Sequence, residues 1–220
     1  MGVIYSVGMS KNAFDVAPEH GRTPFIVDEP HEGDNIDSEN YRLNELTGLY
    51  YLWKNEHNVG YKGLEHYRRA IWDRTNHHLL EPSEIEDILK DHDVILTNNY
   101  VFFPGTMDNY CQPRNGYLHH IERMNDQWNG FGDHYWNYVC THYPNEWSWC
   151  NIAIARENVF DEYCEMAFDL VFNLKQPADT TRFFGFCTEK LWSPWSAWKN
   201  LKVYYGRLHV YCDKPKYAKY

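Results

Sequence analysis

The chain lacks any run of 18 or more apolar residues, the minimum for a helix that crosses the hydrocarbon core of a bilayer, so no membrane span is expected. Its six cysteines contain no C-x-x-C pair and have no histidines at zinc-finger spacing, which removes zinc ribbons and thioredoxin-like redox motifs. Twelve histidines form neither H-E-x-x-H nor H-x-H, and the doublets at 77 and 119 put neighbours on divergent faces, so a histidine-rich metallohydrolase finds no ligand spacing to rest on. A basic surplus is missing as well. Lys and Arg number 21 against 31 Asp and Glu, for a net charge of -10 and a pI near 5.6. Nucleic acid and anionic membrane surfaces both call for a basic face, so neither is expected as a partner. The opening MGVIYSVGMSKNAF lacks the basic start and long apolar core of a secretory leader, and a cytoplasmic protein is expected. There is no internal repeat or low-complexity segment.

What is present fits one domain spanning 1–220, long enough to bury a substantial core. Cys111, Cys140, Cys150, Cys164, Cys187 and Cys212 read as free thiols, since a chain of this size needs no covalent staples, although six could make three disulfides in an oxidising compartment. Aromatic residues reach 17%, with nine Trp and eighteen Tyr; much of this is core, and flat rings also suit ring-shaped ligands.

Strand and helix patterns alternate along the chain. Val3–Val7 and Pro24–Val27 are short strand candidates, and a polar loop leads to a helix starting near Asp37 or Ser38, with Leu43, Leu46, Tyr50 and Trp53 at helical spacing. Tyr61–Glu65 reads as a strand. Ser83 and Glu86 stand at capping-box spacing ahead of the next helix, before the strand DVILTN. Periodicity fades over 104–150, much too long for a plain connection, so a partly helical excursion over the acceptor side of a site is expected. A strand at 151–155, an amphipathic helix over about 158–174 and a bent strand or hairpin around Gly206 complete the pattern. Such alternation predicts an α/β fold with a mainly parallel central sheet flanked by helices, and ligands at the carboxyl ends of its strands.

The segment GYKGLEHYRRAIW places His66, Tyr67, Arg68 and Arg69 at such a strand end, clustering up to three positive charges. Adjacent guanidiniums match the oxygens of a diphosphate bidentately, so Arg68 and Arg69 are candidate phosphate ligands with His66 as a further donor; pairing with surface carboxylates is the other reading. Asn98 also follows a strand, whereas Asn151 precedes one. His119 and His120 fall in the excursion and are candidate acceptor contacts.

Four blocks in order, GDNIDSENYRLNELTGLYYLWKN, YKGLEHYRRAIW, NIAIARENVFDEYCEMAFDLVF and RFFGFCTEKLW, resemble the bacterial capsular and exopolysaccharide glycosyltransferases long catalogued as a domain of unknown function (DUF4422-like). The resemblance runs through nearly the whole chain and departs at NIAI, TEKL and the Ala70-Ile71 pair, where that family favours NMFI, SERL and Tyr-Phe. It implies a GT-A-like transferase that moves a sugar from a nucleoside-diphosphate donor, such as a UDP-sugar of the UDP-galactose type, to a glycan or lipid-linked glycan acceptor, at the inner face of the membrane if it docks on a glycan assembly system. It further implies Glu189 as acid/base residue, and Asp34, Asn35, Glu45, Asn55, Asn151, Arg182 and Tyr67 as donor- or acceptor-binding positions. Asp-x-Asp, which commonly holds a divalent ion in GT-A enzymes, is absent from this strand end. Asp73 lies beyond it and Asp91-His92-Asp93 precedes its own strand. No cofactor beyond the donor is therefore expected, manganese or magnesium being the alternative, and a non-catalytic nucleotide-sugar- or glycan-binding module is the competing class.

Overall fold

The computed structural model describes residues 1–12, 14, 20–98, 126, 128–142, 148, 150–173, 185 and 188–211. His119, His120, Arg182 and most of the 104–150 excursion lie outside these residues.

Seven strands, β1 (Val3–Gly8), β2 (Arg22–Ile26), β3 (Tyr61–His66), β4 (Arg69–Trp72), β5 (Val94–Asn98), β6 (Ala153–Arg156) and β7 (Val203–Val210), make one sheet. β1 pairs in parallel with β2 and β3, and β5 in parallel with β7. β6 runs antiparallel between β3 and β5, and β4 antiparallel to β3 and β7. The sheet is therefore mixed, and the reversed direction of β6 decides which residues reach the edge where β3 ends.

Described helices are α1 (Asn40–Leu43), α2 (Leu46–Asn55), α3 (Pro82–Asp91), α4 (Phe131–His142), α5 (Glu157–Asn173) and α6 (Trp192–Trp198). The expected helix from Asp37 is interrupted. A 3-10 turn at Asp37–Glu39 leads into α1, and Asn44 then takes a left-handed conformation (φ 50) that restarts the chain as α2 at Glu45. Asn tolerates that region better than most residues. Asp37 does not cap a helix; its carboxylate accepts from the His31 backbone N–H at 2.7 Å. The capping box of α3 is also displaced. Glu81 and Glu84 form it, not Ser83 and Glu86, because Pro82 occupies the first turn, where its missing N–H costs nothing. β7 is continuous through Gly206, where a Cβ would lie 2.5 Å from Ile71 Cγ2: glycine is there because β4 crosses close by.

One large core joins α2, α4, α5 and α6 to one face of the sheet and holds most of the aromatic surplus, with Tyr163 stacked on Trp192 at 3.5 Å between centroids and Trp195 fully buried. Gly48 in α2 lets the helix press onto β1, since a Cβ there would meet Val7 Cγ2 at 2.9 Å. A smaller core around Ile4, Ile71, Ile85, Ile95 and Ile154 fills the other face, beneath α3.

Two buried ion pairs run through this framework. Arg22 forks onto Glu65 (Nε–Oε2 2.9 Å, Nη2–Oε1 3.2 Å) and donates to the carbonyls of His20 and Leu80, while Glu65 Oε1 also accepts the Ile71 N–H at 2.8 Å. Lys62, fully enclosed, reaches Asp161 at 2.6 Å and Glu157 at 3.7 Å. The first pair matters to function, because Glu65 clamps β4 to β3 and so sets where the turn between them stands.

Candidate active site

β3 ends at His66 and β4 begins at Arg69, paired with each other, so Tyr67 and Arg68 form a tight two-residue turn at the carboxyl edge of the sheet. Tyr67 N–H donates to Val7 O and Tyr211 N–H to Arg68 O, both at 2.9 Å. The turn is thus tied to β1 on one side and to the chain after β7 on the other. Arg68 is exposed, its guanidinium 5.4 Å from the Tyr67 ring centre, and Arg69 is half-buried with Nη1 3.7 Å from Cys150 Sγ. Among the described residues neither guanidinium has a carboxylate within ion-pairing distance. The surface-pairing reading of these arginines finds no partner here.

Because β6 opposes β3, with Leu64 facing Ala153, the residues just before β6 arrive at the edge where β3 ends. This places Asn151, which precedes its strand, beside the arginine turn. The approach is anchored by Ser148, whose N–H donates to Ser193 Oγ at 2.8 Å and whose hydroxyl lies 3.1 Å from Thr97 Oγ1. Cys150 and Asn151 both take left-handed backbone conformations (φ 72 and 53).

α2 precedes β3 across the core and runs against it, so its first residues also come to this edge. Asn151 Nδ2 donates to Glu45 Oε1 at 3.0 Å and to Thr188 Oγ1 at 3.1 Å, and the Thr188 hydroxyl donates in turn to Gly185 O at 3.0 Å. Glu189, whose N–H donates to Gly185 O at 3.0 Å, follows Thr188 into the same group.

Electrostatics binds these residues together. Burial first, and then the neighbouring Glu45 carboxylate, push the Glu189 carboxyl up to about 7, with Lys190 and Arg69 opposing. Cys150 is pushed up to about 12, chiefly by burial, and stays a neutral thiol. His66 goes the other way. Burial and the Arg69 charge hold it down to about 3, against a hydrogen bond to the Cys150 backbone. The ring is therefore neutral at physiological pH, and the expected cluster of up to three charges carries two.

Other sequence candidates stand apart. Asn55 Nδ2 donates to Asp34 O at 2.8 Å and Asn55 Oδ1 accepts the Asp34 N–H at 3.1 Å, while the Asp34 carboxylate accepts from Tyr50 OH at 3.0 Å and Asn35 bonds the carbonyls of His31 and Gly33. Gly33 (φ 88) could carry no side chain there, since a Cβ would lie 2.3 Å from Asn55 Oδ1. Asn55 ends α2 and Glu45 starts it, about 15 Å apart at 1.5 Å per residue. In this structure Asp34, Asn35 and Asn55 fasten a loop to the far end of the helix, and they do not join the Glu189 group.

The same geometry bears on a metal site. Among the described residues no three His, Cys, Asp or Glu side chains converge as a ligand set. Asp73 is spent on the N–H groups of Thr75 and Asn76 and on Tyr204 OH. Asp93 contacts Arg156, which faces Tyr61 at the start of β3, some 16 Å from His66 along the strand. Among the described residues, none of these aspartates stands beside Arg68 and Arg69.

Cys150 and Thr188 belong to the site yet were not singled out from sequence; their one signal is adjacency to Asn151 and Glu189. The family model described as "Domain of unknown function (DUF4422)" matches residues 10–202. The fold is similar to the apo structure of the WbbM bifunctional glycosyltransferase, with a TM-score of 0.74 and 19% identity over 96% of this chain. The chain spans 45% of that protein's structure. No curated protein matches it.

Proposed function

The chain belongs to the DUF4422 family, and we propose that it is a GT-A-type glycosyltransferase moving a sugar from a nucleoside-diphosphate donor, of the UDP-sugar class, to a hydroxyl of a glycan acceptor. The observation that carries this reading is one juxtaposition at the carboxyl edge of the sheet: two guanidiniums without carboxylate partners among the described residues, and a half-buried carboxyl held near 7. A general base works best with a pKa near the working pH, and the Glu189 carboxyl at about 7 meets that condition.

In this mechanism Glu189 takes the proton of the acceptor hydroxyl as its oxygen attacks the anomeric carbon. The bond from that carbon to the phosphate oxygen breaks, and the diphosphate leaves with its charge. Arg68 and Arg69 receive that charge, fixed donors in a partly desolvated site being worth far more than the same groups in water. Their preorganisation comes from the Glu65 clamp beneath the turn. Glu45 tunes Glu189 through its charge. A role in capsule, exopolysaccharide or related glycan synthesis on the cytoplasmic side of a membrane, with a glycan or lipid-linked glycan as acceptor, follows from the family resemblance.

Calorimetry with UDP, GDP and their hexose conjugates, followed by mass spectrometry of donor hydrolysis and transfer, tests the reading. Binding of one nucleotide and its sugars, with slow hydrolysis, is expected. A folded protein that binds none of them up to millimolar concentration would overturn it.

A further inference from the structure

Two buried acceptors in the site have no partner among the described residues: Asn151 Oδ1 and His66 Nε2. Asn151 is 1% exposed, and both N–H groups of its amide are committed, one to Glu45 and one to Thr188. The amide cannot turn over, because its oxygen would then face the Glu45 carboxylate. Its orientation is fixed, with the carbonyl left over. His66 reaches the same condition by another route. Burial and the Arg69 charge keep its ring neutral, and Nε2 is enclosed without a partner among the described residues, so it accepts a hydrogen bond in the tautomer that carries its proton on Nδ1. Both acceptors flank Cys150, one bonded to its backbone and the other next in the chain, where two successive non-glycine residues hold left-handed backbone. Buried polar atoms are ordinarily satisfied, and strained backbone of this kind gathers at ligand sites.

We propose that Asn151 Oδ1 and His66 Nε2 are a hydroxyl-reading pair: uncharged acceptors that receive O–H groups of the sugar ring carried by the donor, while Arg68 and Arg69 hold its diphosphate. This deepens the transferase reading and rests on it. Neutral acceptors suit sugar hydroxyls, which donate hydrogen bonds and carry no charge, and they would repel phosphate oxygens. His66 is thus assigned to the sugar, where the sequence pointed to the phosphates.

The test is a substrate-deletion cycle in binding. Affinities for UDP, for UDP-galactose and UDP-glucose, and for their 2-, 3-, 4- and 6-deoxy forms are measured for the wild type, Asn151→Ala and His66→Phe. His66→Phe keeps the ring shape and removes the acceptor, so it guards against a folding failure of Asn151→Ala. In the wild type, one or two deoxy forms should bind about tenfold more weakly than their parent, in keeping with the loss of a hydrogen bond from a buried partner. In a variant lacking the matching acceptor that penalty should vanish, with UDP affinity held within about twofold. Equal penalties in wild type and both variants, as expected if an ordered water satisfies the two atoms, would overturn the proposal. So would a wild type indifferent to every hydroxyl. A folded wild type that binds no UDP overturns the transferase reading itself, and this inference with it.

Discussion

Replacing Glu45 by Gln should move the acid limb of the pH profile of kcat/KM toward lower pH without abolishing turnover. With the Glu189 carboxyl at about 7, a base that must be ionised is half active near neutrality. It falls to about a tenth of its plateau at pH 6 and about a hundredth at pH 5, one decade per pH unit below the pKa. Burial and three charged groups set that value: burial and Glu45 raise it, Lys190 and Arg69 lower it. Gln at position 45 keeps an oxygen for Asn151 Nδ2, now 3.0 Å from Glu45 Oε1, and removes the negative charge. Protonation of Glu189 then becomes harder. The variant should retain a larger share of its plateau rate at pH 5 and 6 than the wild type does. Glu189→Gln should lose about 10² to 10⁴ in kcat, the usual worth of a positioned base, with no acid limb left. The assay is initial-rate transfer in buffers of constant ionic strength from pH 5 to 9. A wild-type limb at ordinary carboxylate values, or a limb that does not move in Glu45→Gln, would refute the reasoning.

Arg69→Ala should cost about a hundredfold in kcat, as for loss of one donor to the transition state, and Arg69→Lys should recover only part because a point charge lacks the planar fork. Full activity in the lysine variants of both Arg68 and Arg69 would remove these residues from the diphosphate. Turnover should survive exhaustive chelation with EDTA, because guanidiniums occupy the strand end; loss on chelation and recovery with manganese or magnesium would send the search back to Asp73 and the Asp91–Asp93 segment. Glu65→Ala should destabilise the fold by about 3 to 5 kcal/mol in denaturant melts, since it strands the buried Arg22 charge. A loss under 1 kcal/mol would mean that water reaches the pair.

Glu189, Glu45, Asn151, Arg69 and His66 could all be named from sequence, and the structure gathers them, although nothing in the sequence said that they would meet. The missing information was directional. Whether a residue before a strand reaches the edge where another strand ends depends on relative strand direction, and local pattern does not encode the sense of β6. Charge state was hidden for a similar reason: His66 loses its charge through burial and Arg69, both tertiary. Asp34, Asn35 and Asn55 lie apart from this group and fasten a loop, a role that short polar side chains suit as well as they suit ligands. The buried Arg22–Glu65 pair escaped notice because its members lie 43 residues apart and each alone resembles an ordinary surface charge.

The chain leaves the sheet after β5 and returns to it in β6, and these two strands are direct neighbours, Leu96 facing Ala153. Everything between is an excursion whose two ends are stapled side by side. Closing such a loop costs only about 0.6 kcal/mol more for each doubling of its length, so its length is nearly free to drift. Among the described residues its fixed tenant is α4, whose Phe131 and Tyr135 sit in the main core. On the transferase reading proposed above, grafting a different segment between Asn98 and Trp128 onto this frame is a route to a new acceptor preference.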